Sequence, residues 1–265
     1  MKLSKEEVDE YNARGYLTKE GLFTAQEIAV LKHGLDEILD KHLDRPEVAM
    51  EKNGKAPRLI YGADKYSDEF YKLSRHPRWI EIAKQLVGDD VYIHQLRINP
   101  KRGFDGEGFW WHQDYATWHY EDGMPTPNAL MIAVFLDDIL ETAGPMLVIP
   151  GSQRLGEIED TEADPDKTGY TVMEVKSDTV KRLADENGIE SLTGKAGTAV
   201  FINCNLLHAS AGNVTPWPRT LLFINANSVK NAPTKQKRAE YHNNRDRSPL
   251  VPLADNCLLT ESATA

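Results

Sequence analysis

Cysteine is nearly absent. Cys204 and Cys257 are the two in 265 residues, and no CxxC pair offers zinc ligation or thiol redox chemistry. Both are expected to be buried free thiols, the usual fate of unpaired cysteine. Long hydrophobic runs are missing as well. No stretch approaches the roughly 18 apolar residues that a membrane span needs, and the opening MKLSKEEVDE lacks the apolar core of a signal peptide. A reducing cytoplasm is the expected compartment. Basic side chains are in deficit, 31 against 41 acidic ones, and the net charge of −10 repels phosphate backbones. Neither nucleic acid nor a membrane is therefore an expected partner. There is no internal repeat and no low-complexity tail. A hydrophobic share of 40% is ordinary for a globular chain, and the length allows one domain with a sizeable core.

What is present is a helical opening followed by strands. Ser4 with Glu7 and Thr24 with Glu27 form two capping boxes, each announcing a helix. After Thr24 the apolar residues Ile28, Leu31, Leu35, Ile38 and Leu39 recur at helical spacing, to about Leu43. Pro77 starts a further helix through Trp79, Ile82 and Leu86, with Gly88 placed to end it. From Val91 the period changes to two. VYIHQLRIN alternates, which puts Val91, Ile93, Gln95, Arg97 and Asn99 on one face and Tyr92, His94, Leu96 and Ile98 on the other. ALMIAVFL (129–136), PMLVIP (145–150), GTAVFI (197–202) and RTLLFINAN (219–227) are further strand-length runs. The expected organisation is one domain over 1–265. Residues 1–90 give mostly helical support and 91–227 a β core. Within that core, 154–196 is a polar insertion with a short helix near 178–187 and a solvated acidic run EIEDTEADPDKTG. A C-terminal segment, 228–265, follows as a candidate lid.

The stretch WWHQDYATWHYEDGMP (110–125) gathers three Trp, two His and acidic residues in a short span. His112 and Asp114 are two apart, which on an extended chain puts both on one face, within reach of a common ion. His208 lies beyond further strands, and Arg219 follows it by eleven residues. Two imidazoles and one carboxylate make a facial ligand set suited to non-haem Fe(II), with positions left open. A guanidinium nearby suits a carboxylate cosubstrate, because it stays charged and grips both oxygens. Of the aromatic cluster, at least one of Trp110 and Trp111 is expected in the core. His119 is not expected to face the ion.

H-x-D, a distant His and an Arg eleven residues on, set among jelly-roll-like strands, resemble the Fe(II)/2-oxoglutarate dioxygenases of the phytanoyl-CoA dioxygenase superfamily. VYIHQLRIN, WHQDYATWHYEDGMP, GPMLVIPGSQ and CNLLHASAGNVTPWPR together resemble its ectoine hydroxylase branch, and GYLTKEGLFTAQEIAVL resembles the superfamily's N-terminal region. The resemblance implies a mainly β fold: a double-stranded β-helix, or cupin-like jelly-roll, with N-terminal and flanking α-helices. It implies that His112, Asp114 and His208 hold Fe(II), that Arg219 pairs with the distal carboxylate of 2-oxoglutarate, and that Asn99 helps hold it. Gln95 falls where the branch contacts cosubstrate or substrate, and Trp118 and Tyr115 fall at the substrate. Molecular oxygen is the second cosubstrate. The implied reaction is hydroxylation of an unactivated C–H bond, with succinate and carbon dioxide released. Because Asp114 is present where related halogenases have Gly or Ala, hydroxylation rather than chlorination is implied.

The chain also departs from that branch. Met131 and Ala133 stand where small hydroxyl residues are expected, Tyr115 and Ala116 replace Phe and Glu, and Gln153 replaces the His of PGSH. More methyl groups imply a more apolar pocket, so a free aliphatic amino acid becomes a candidate substrate beside an ectoine-like zwitterion. A buried substrate carboxylate needs a cation other than Arg219. YHNNRDRSPLVPL offers Arg245, carried down by a C-terminal segment folding over the site. Two other readings remain open: oxidation of a CoA- or carrier-linked acyl group, which calls for a basic patch that Lys101 and Arg102 alone do not make, and a non-catalytic jelly-roll that senses a metabolite or metal. The oligomeric state is not legible.

Overall fold

The computed structural model describes residues 1–163 and 172–260. In chain order its main elements are α1 (Lys5–Arg14), β1 (Tyr16–Lys19), α2 (Ala25–Lys41), β2 (Val48–Met50), β3 (Pro57–Tyr61), α3 (Asp68–Ser74), α4 (Pro77–Val87), β4 (Val91–Lys101) and β5 (Phe109–His112). There follow β6 (Ala129–Phe135), β7 (Met146–Val148), β8 (Thr161–Ala163), β9 (Met173–Val175), β10 (Glu190–Leu192), β11 (Ala199–Asn203), β12 (His208–Ser210) and β13 (Arg219–Ser228). Both capping boxes form, with Glu7 N donating to Ser4 Oγ and Glu27 N to Thr24 Oγ1 while each Glu carboxylate takes the N-cap amide. Helix α2 stops at Lys41, just short of Leu43, and α4 ends at Gly88, whose φ of 72° is left-handed.

The strands form two antiparallel sheets in a jelly-roll arrangement. The larger sheet has the order β1-β11-β6-β13-β4-β3-β2 and the smaller β10-β7-β12-β5-β9-β8; the two do not close into a barrel. Alternation sorts the larger sheet's side chains into two cores. Leu130, Ile132 and Val134 of β6 and Leu222 and Ile224 of β13 pack outward against Leu31 and Ile38 of α2 and Trp79, Ile80 and Ile82 of α4. Met131, Ala133, Phe135, Leu221 and Phe223 point the other way, toward Met146, Val148 and Leu192 of the smaller sheet. Because helices cover one face and a second sheet the other, these strands read as nearly continuous apolar runs.

Two expectations about organisation are refined. Residues 1–90 are mostly helical, as expected, yet they are not support alone: β1 pairs with β11, and β3 pairs with β4 and carries β2. These strands are short and lack clean alternation, and β3 is buried throughout, so periodicity does not mark them. The segment 154–196 is not a detached insertion either. Its helix is present as Ser177–Asn187, but β8, β9 and β10 complete both flanks of the smaller sheet. Part of the acidic run, 164–169, lies outside the described residues.

The outer core should set stability independently of the site. Trp79 is fully buried, and its Nε1 donates to Leu73 O at 2.8 Å. Trp79→Ala is expected to lower unfolding free energy by about 3–5 kcal/mol, read as an earlier urea midpoint with an unchanged m-value. A midpoint equal to that of the parent chain would contradict this.

Candidate active site

His112 closes β5 and His208 opens β12, and the two are direct partners across the antiparallel pair. Their rings lie 4.2 Å apart, centroid to centroid. Asp114 begins a short helix, Asp114–Thr117, whose first turn brings its carboxylate back beside His112, with Oδ1 at 3.7 Å from Nε2. One ligand atom from each of His112, Asp114 and His208 lies within 4.8 Å of the other two, and all three residues are buried. Backbone carbonyls fix the tautomers. His112 Nδ1 donates to Trp110 O at 2.6 Å, and His208 Nδ1 to Leu206 O at 2.9 Å. Both Nε2 lone pairs are thereby left for an ion, the arrangement metal-binding imidazoles require.

Burial, reinforced by His208, holds His112 down to about 3, and burial likewise lowers His208. Burial alone would raise Asp114, but the guanidinium of Arg97 and the two imidazoles bring it below its ordinary value. The ligand set is thus neutral, neutral and anionic, ready for a divalent ion.

Arg97 is the residue that sequence reasoning passed over. Its Nη2 donates to Asp114 Oδ2 at 3.1 Å and its Nη1 to Gln95 Oε1 at 3.0 Å. It stands in an inward polar stripe of β4 with Gln95, Asn99 and Lys101. The alternation expected for this strand holds from Gln95 onward but not before it. Asn225 pairs with Gln95 and Ala226 with Ile93, so His94 is an extra residue, a bulge. The slip moves Val91 and Ile93 to the helix-covered face beside Leu96 and Ile98, and turns His94 inward. A bulge has no single-sequence signature. The inward position of a charge at Arg97, opposite apolar outward neighbours, was the available signal.

Arg219 is fully buried at the start of β13. Its Nε and Nη2 donate to Gly144 O at 3.0 and 2.8 Å, and its Nη1 to Asn99 Oδ1 at 2.9 Å. Asn99 is itself held by its Nδ2 on Arg58 O. Gly144 has a φ of 67°, and a Cβ there would stand 2.5 Å from Ala211 O, so glycine is what lets this carbonyl reach the guanidinium. A guanidinium has five N–H donors; three are engaged, and two remain. Burial lowers Arg219 to about 9. Lys101 is a second buried cation, driven well down by burial and by Arg219, and its Nζ bonds the neutral Ser210 Oγ at 2.9 Å and Ala211 O. One cavity is lined by His112, His208, Arg97, Asn99, Ser210 and Arg219, with Leu59, Phe109, Met146, Leu221 and Phe223 as apolar walls. Its end away from the triad carries surplus positive charge, the setting for an anionic ligand.

The remaining expected residues lie elsewhere. Trp118 and Tyr115 sit in a separate buried cluster with Met124, Ala129 and Cys204, immediately after Asp114. Gln95 borders the triad through Arg97, but its amide is engaged: Nε2 donates to His242 O at 3.0 Å, and Oε1 also accepts from Asn225. The C-terminal segment does fold back onto this region, yet the Arg245 guanidinium is spent on the carbonyls of Gln236, Arg238 and Asn243. Met131 is at the site, its Sδ 3.6 Å from Arg97 Nη2. Gln153 is not; it bonds Asn12 O at the end of α1. His119 is half exposed and pairs with Glu157. Trp111 packs against a small core cluster while Trp110 is exposed. Cys204 and Cys257 are buried and free, and burial pushes the Cys204 thiol up to about 12. Because Lys101 is buried, it contributes nothing to a surface basic patch. Among the described residues no helix is long and apolar enough to cross a membrane.

Two outcomes are expected. Arg97→Leu removes the guanidinium that orients the Asp114 carboxylate, and should weaken binding of a divalent ion by about 10–100-fold, measured by competition with a chromogenic chelator; an unchanged affinity would remove Arg97 from the site. In metal-free protein, His112 is held down to about 3 and His242 to about 4, chiefly by burial, against an ordinary 6.5. The unfolded chain binds more protons below that pH, so stability should fall on acidification from about pH 6.5. Urea melts at stepped pH check this, and a midpoint constant down to about pH 5 rejects it.

Comparison with known proteins agrees with this geometry. The phytanoyl-CoA dioxygenase (PhyH) family model matches residues 11–221. An ectoine dioxygenase of Bordetella bronchiseptica is 37% identical over 273 aligned positions, covering 98% of this chain and 88% of its own. An L-proline trans-4-hydroxylase of Streptomyces griseoviridis is 35% identical, covering 92% and 93%. The crystal structure of EctD from S. alaskensis with 2-oxoglutarate and 5-hydroxyectoine superposes with a TM-score of 0.84 at 32% identity, covering 95% of this chain and 87% of that one. Family model, whole-length relatives and fold agree, and the chain belongs to the phytanoyl-CoA dioxygenase family.

Proposed function

We propose that this protein is an Fe(II)- and 2-oxoglutarate-dependent hydroxylase of a small zwitterion, a free amino acid or an ectoine-like compound. One observation carries the reading. A buried His-Asp-His set with both Nε2 lone pairs available shares a cavity with a buried Arg219 that has two unspent donors. The donor set fits Fe(II), since two imidazoles and one carboxylate leave coordination positions for other ligands. 2-Oxoglutarate suits the same cavity, since one carboxylate has the ion site of the triad to bind and the other has the buried guanidinium of Arg219 to pair with. When bound, Fe(II) with 2-oxoglutarate and oxygen supplies the oxidation that replaces a substrate hydrogen by hydroxyl, 2-oxoglutarate leaving as succinate and carbon dioxide.

The chain's own residues do the positioning. Arg219 takes the distal carboxylate on its free donors, and Asn99 and Gly144 hold the guanidinium plane for it. Lys101 holds Ser210 in place through its Nζ. Arg97 keeps Asp114 ionised and aimed. Leu59, Met146, Leu221 and Phe223 keep the cavity dry. Two relatives, named for ectoine and for L-proline, act on small compounds of this kind. Met131 beside Arg97, in place of a hydroxyl residue, favours the less polar amino acid. In this reading the substrate end is assigned to Gln95, Trp118, Tyr115 and Arg245, of which Gln95 reaches the triad through Arg97.

The test is incubation with Fe(II), 2-oxoglutarate and a panel of ectoine, L-proline and aliphatic amino acids, followed by mass spectrometry. A product heavier by one oxygen atom is expected, stoichiometric with succinate, and lost in His112→Ala, Asp114→Ala and His208→Ala. Arg219→Lys keeps the charge but loses the planar fork, and should raise the KM for 2-oxoglutarate about 5–150-fold, equivalent to about 1–3 kcal/mol. Iron binding without succinate formation would favour a sensor instead, and an unaltered KM would move the carboxylate away from Arg219.

A further inference from the structure

Asp122 has no part in the chemistry above, yet it is a fully buried carboxylate. It ends the helical turn Trp118–Asp122 and is satisfied by side chains from two distant parts of the chain. His94, the bulge residue of β4, approaches it with Nε2 at 3.1 Å. Arg238, from the C-terminal segment, donates Nε at 2.9 Å and also Nη2. The backbone repeats the attachment: Lys235 N donates to Asp122 O and Thr234 N to Gly123 O. Asn244 closes the other end of the segment onto β4, its backbone N on His94 O and its Nδ2 on Ile93 O. Residues 234–245 are thus strapped across the bulge, and the Arg238–Asp122 pair is the charged contact in the strap.

Gln95 and Arg245 meet at this strap, and Trp118 packs on the bulge beneath it. Arg238 Nη2 shares the His242 carbonyl with Gln95 Nε2, at 3.3 and 3.0 Å. Gln95 Oε1 accepts from Arg97, which holds Asp114. The Arg238 carbonyl in turn accepts from Arg245 Nη2 at 2.7 Å. Trp118 packs edge-on against His94, 5.2 Å between ring centroids. A continuous polar chain therefore runs from the strap through Gln95 and Arg97 to the carboxylate of the triad.

We propose that Arg238 is a positioning residue for substrate: by pairing with Asp122 it fixes the strap, and with it the orientations of Gln95, Trp118 and Arg245. This rests on the hydroxylase reading given above. It implies that substrate affinity and 2-oxoglutarate affinity are set by separate parts of the chain, the first by the strap and the second by Arg219.

The experiment compares Arg238→Met, Arg238→Lys and Asp122→Asn with the parent enzyme, using ectoine and L-proline as probes. Amide hydrogen exchange over 234–245 is followed in parallel, without metal or cosubstrate. Arg238→Met should raise the KM for the hydroxylated probe about tenfold or more, equivalent to about 1.4 kcal/mol, with the KM for 2-oxoglutarate unchanged and faster exchange over 234–245. Arg238→Lys should recover part of the loss, because it restores charge without the two-pronged contact. Should Asp122→Asn fail to fold, the Arg238 variants carry the test, since Arg238 is partly exposed. An unchanged probe KM overturns the proposal, as does an equal rise in both KM values, the mark of general loosening. Unchanged exchange in Arg238→Met shows that the pair does not hold the strap and overturns it too. Failure of the parent enzyme to hydroxylate either probe, with exchange still responding to Arg238→Met, overturns the substrate reading and the positioning role together but leaves the strap as a structural contact.

Discussion

The site depends on one buried charge and its partner. Asp114 lies between two sheets where solvent cannot screen it, and moving an unpaired carboxylate there costs several kcal/mol even after relaxation. The Arg97 guanidinium at 3.1 Å offsets that cost and keeps the group ionised. The same burial keeps His112 and His208 neutral, so the three ligands hold complementary states without rearrangement. Arg97 in turn must be aimed, and Gln95, with Met131 alongside it, fills the space that aims it. Removing any member leaves a buried polar group without its partner, which is why so many side chains around one carboxylate are constrained at once.

The layered fold makes such a stripe affordable. The larger sheet takes its packing energy from the helix-covered face, where Leu96 and Ile98 of β4 join Trp79, Ile80 and Ile82. That frees the opposite face of the same strand to carry Gln95, Arg97, Asn99 and Lys101 toward the smaller sheet. Strand pairing does the rest. His112 and His208 are brought face to face by register alone, while Asn99 and Arg219 lie on paired neighbouring strands within one hydrogen bond. Cation density is graded along the cavity. Arg97 is matched by Asp114 at one end, whereas Arg219 and Lys101 at the other are bonded mainly to neutral oxygens. A dicarboxylate bridging these ends meets both requirements, which links the electrostatics of the fold to the cosubstrate class.

Much of this was legible in sequence because it rests on local rules. Capping boxes are contacts three residues apart, and Ser4–Glu7 and Thr24–Glu27 form as their spacing dictates. H-x-D is a local spacing as well, and His208 and Arg219 stand out as polar residues at the edges of apolar strand runs. The long strands β4, β6 and β13 announce themselves by composition and period, β11 by its apolar run after Gly197, and the helix Ser177–Asn187 is announced as well.

What sequence could not supply are the features decided by partners far along the chain. The bulge at His94 exists because β13 and β4 pair with one residue of mismatch, and nothing in VYIHQLRIN alone says where alternation slips. Strands β1, β2, β3 and β8 to β10 are three to five residues long, too short for a period, and become strands by pairing with neighbours already in place. Lys101 and Arg238 look like ordinary surface cations until the fold buries one behind Ser210 and sets the other on Asp122. Local sequence thus determined which residues could bind an ion and an anion. The tertiary structure decided which charges are buried and paired, because burial and pairing are properties of the space between two sheets and not of any one strand.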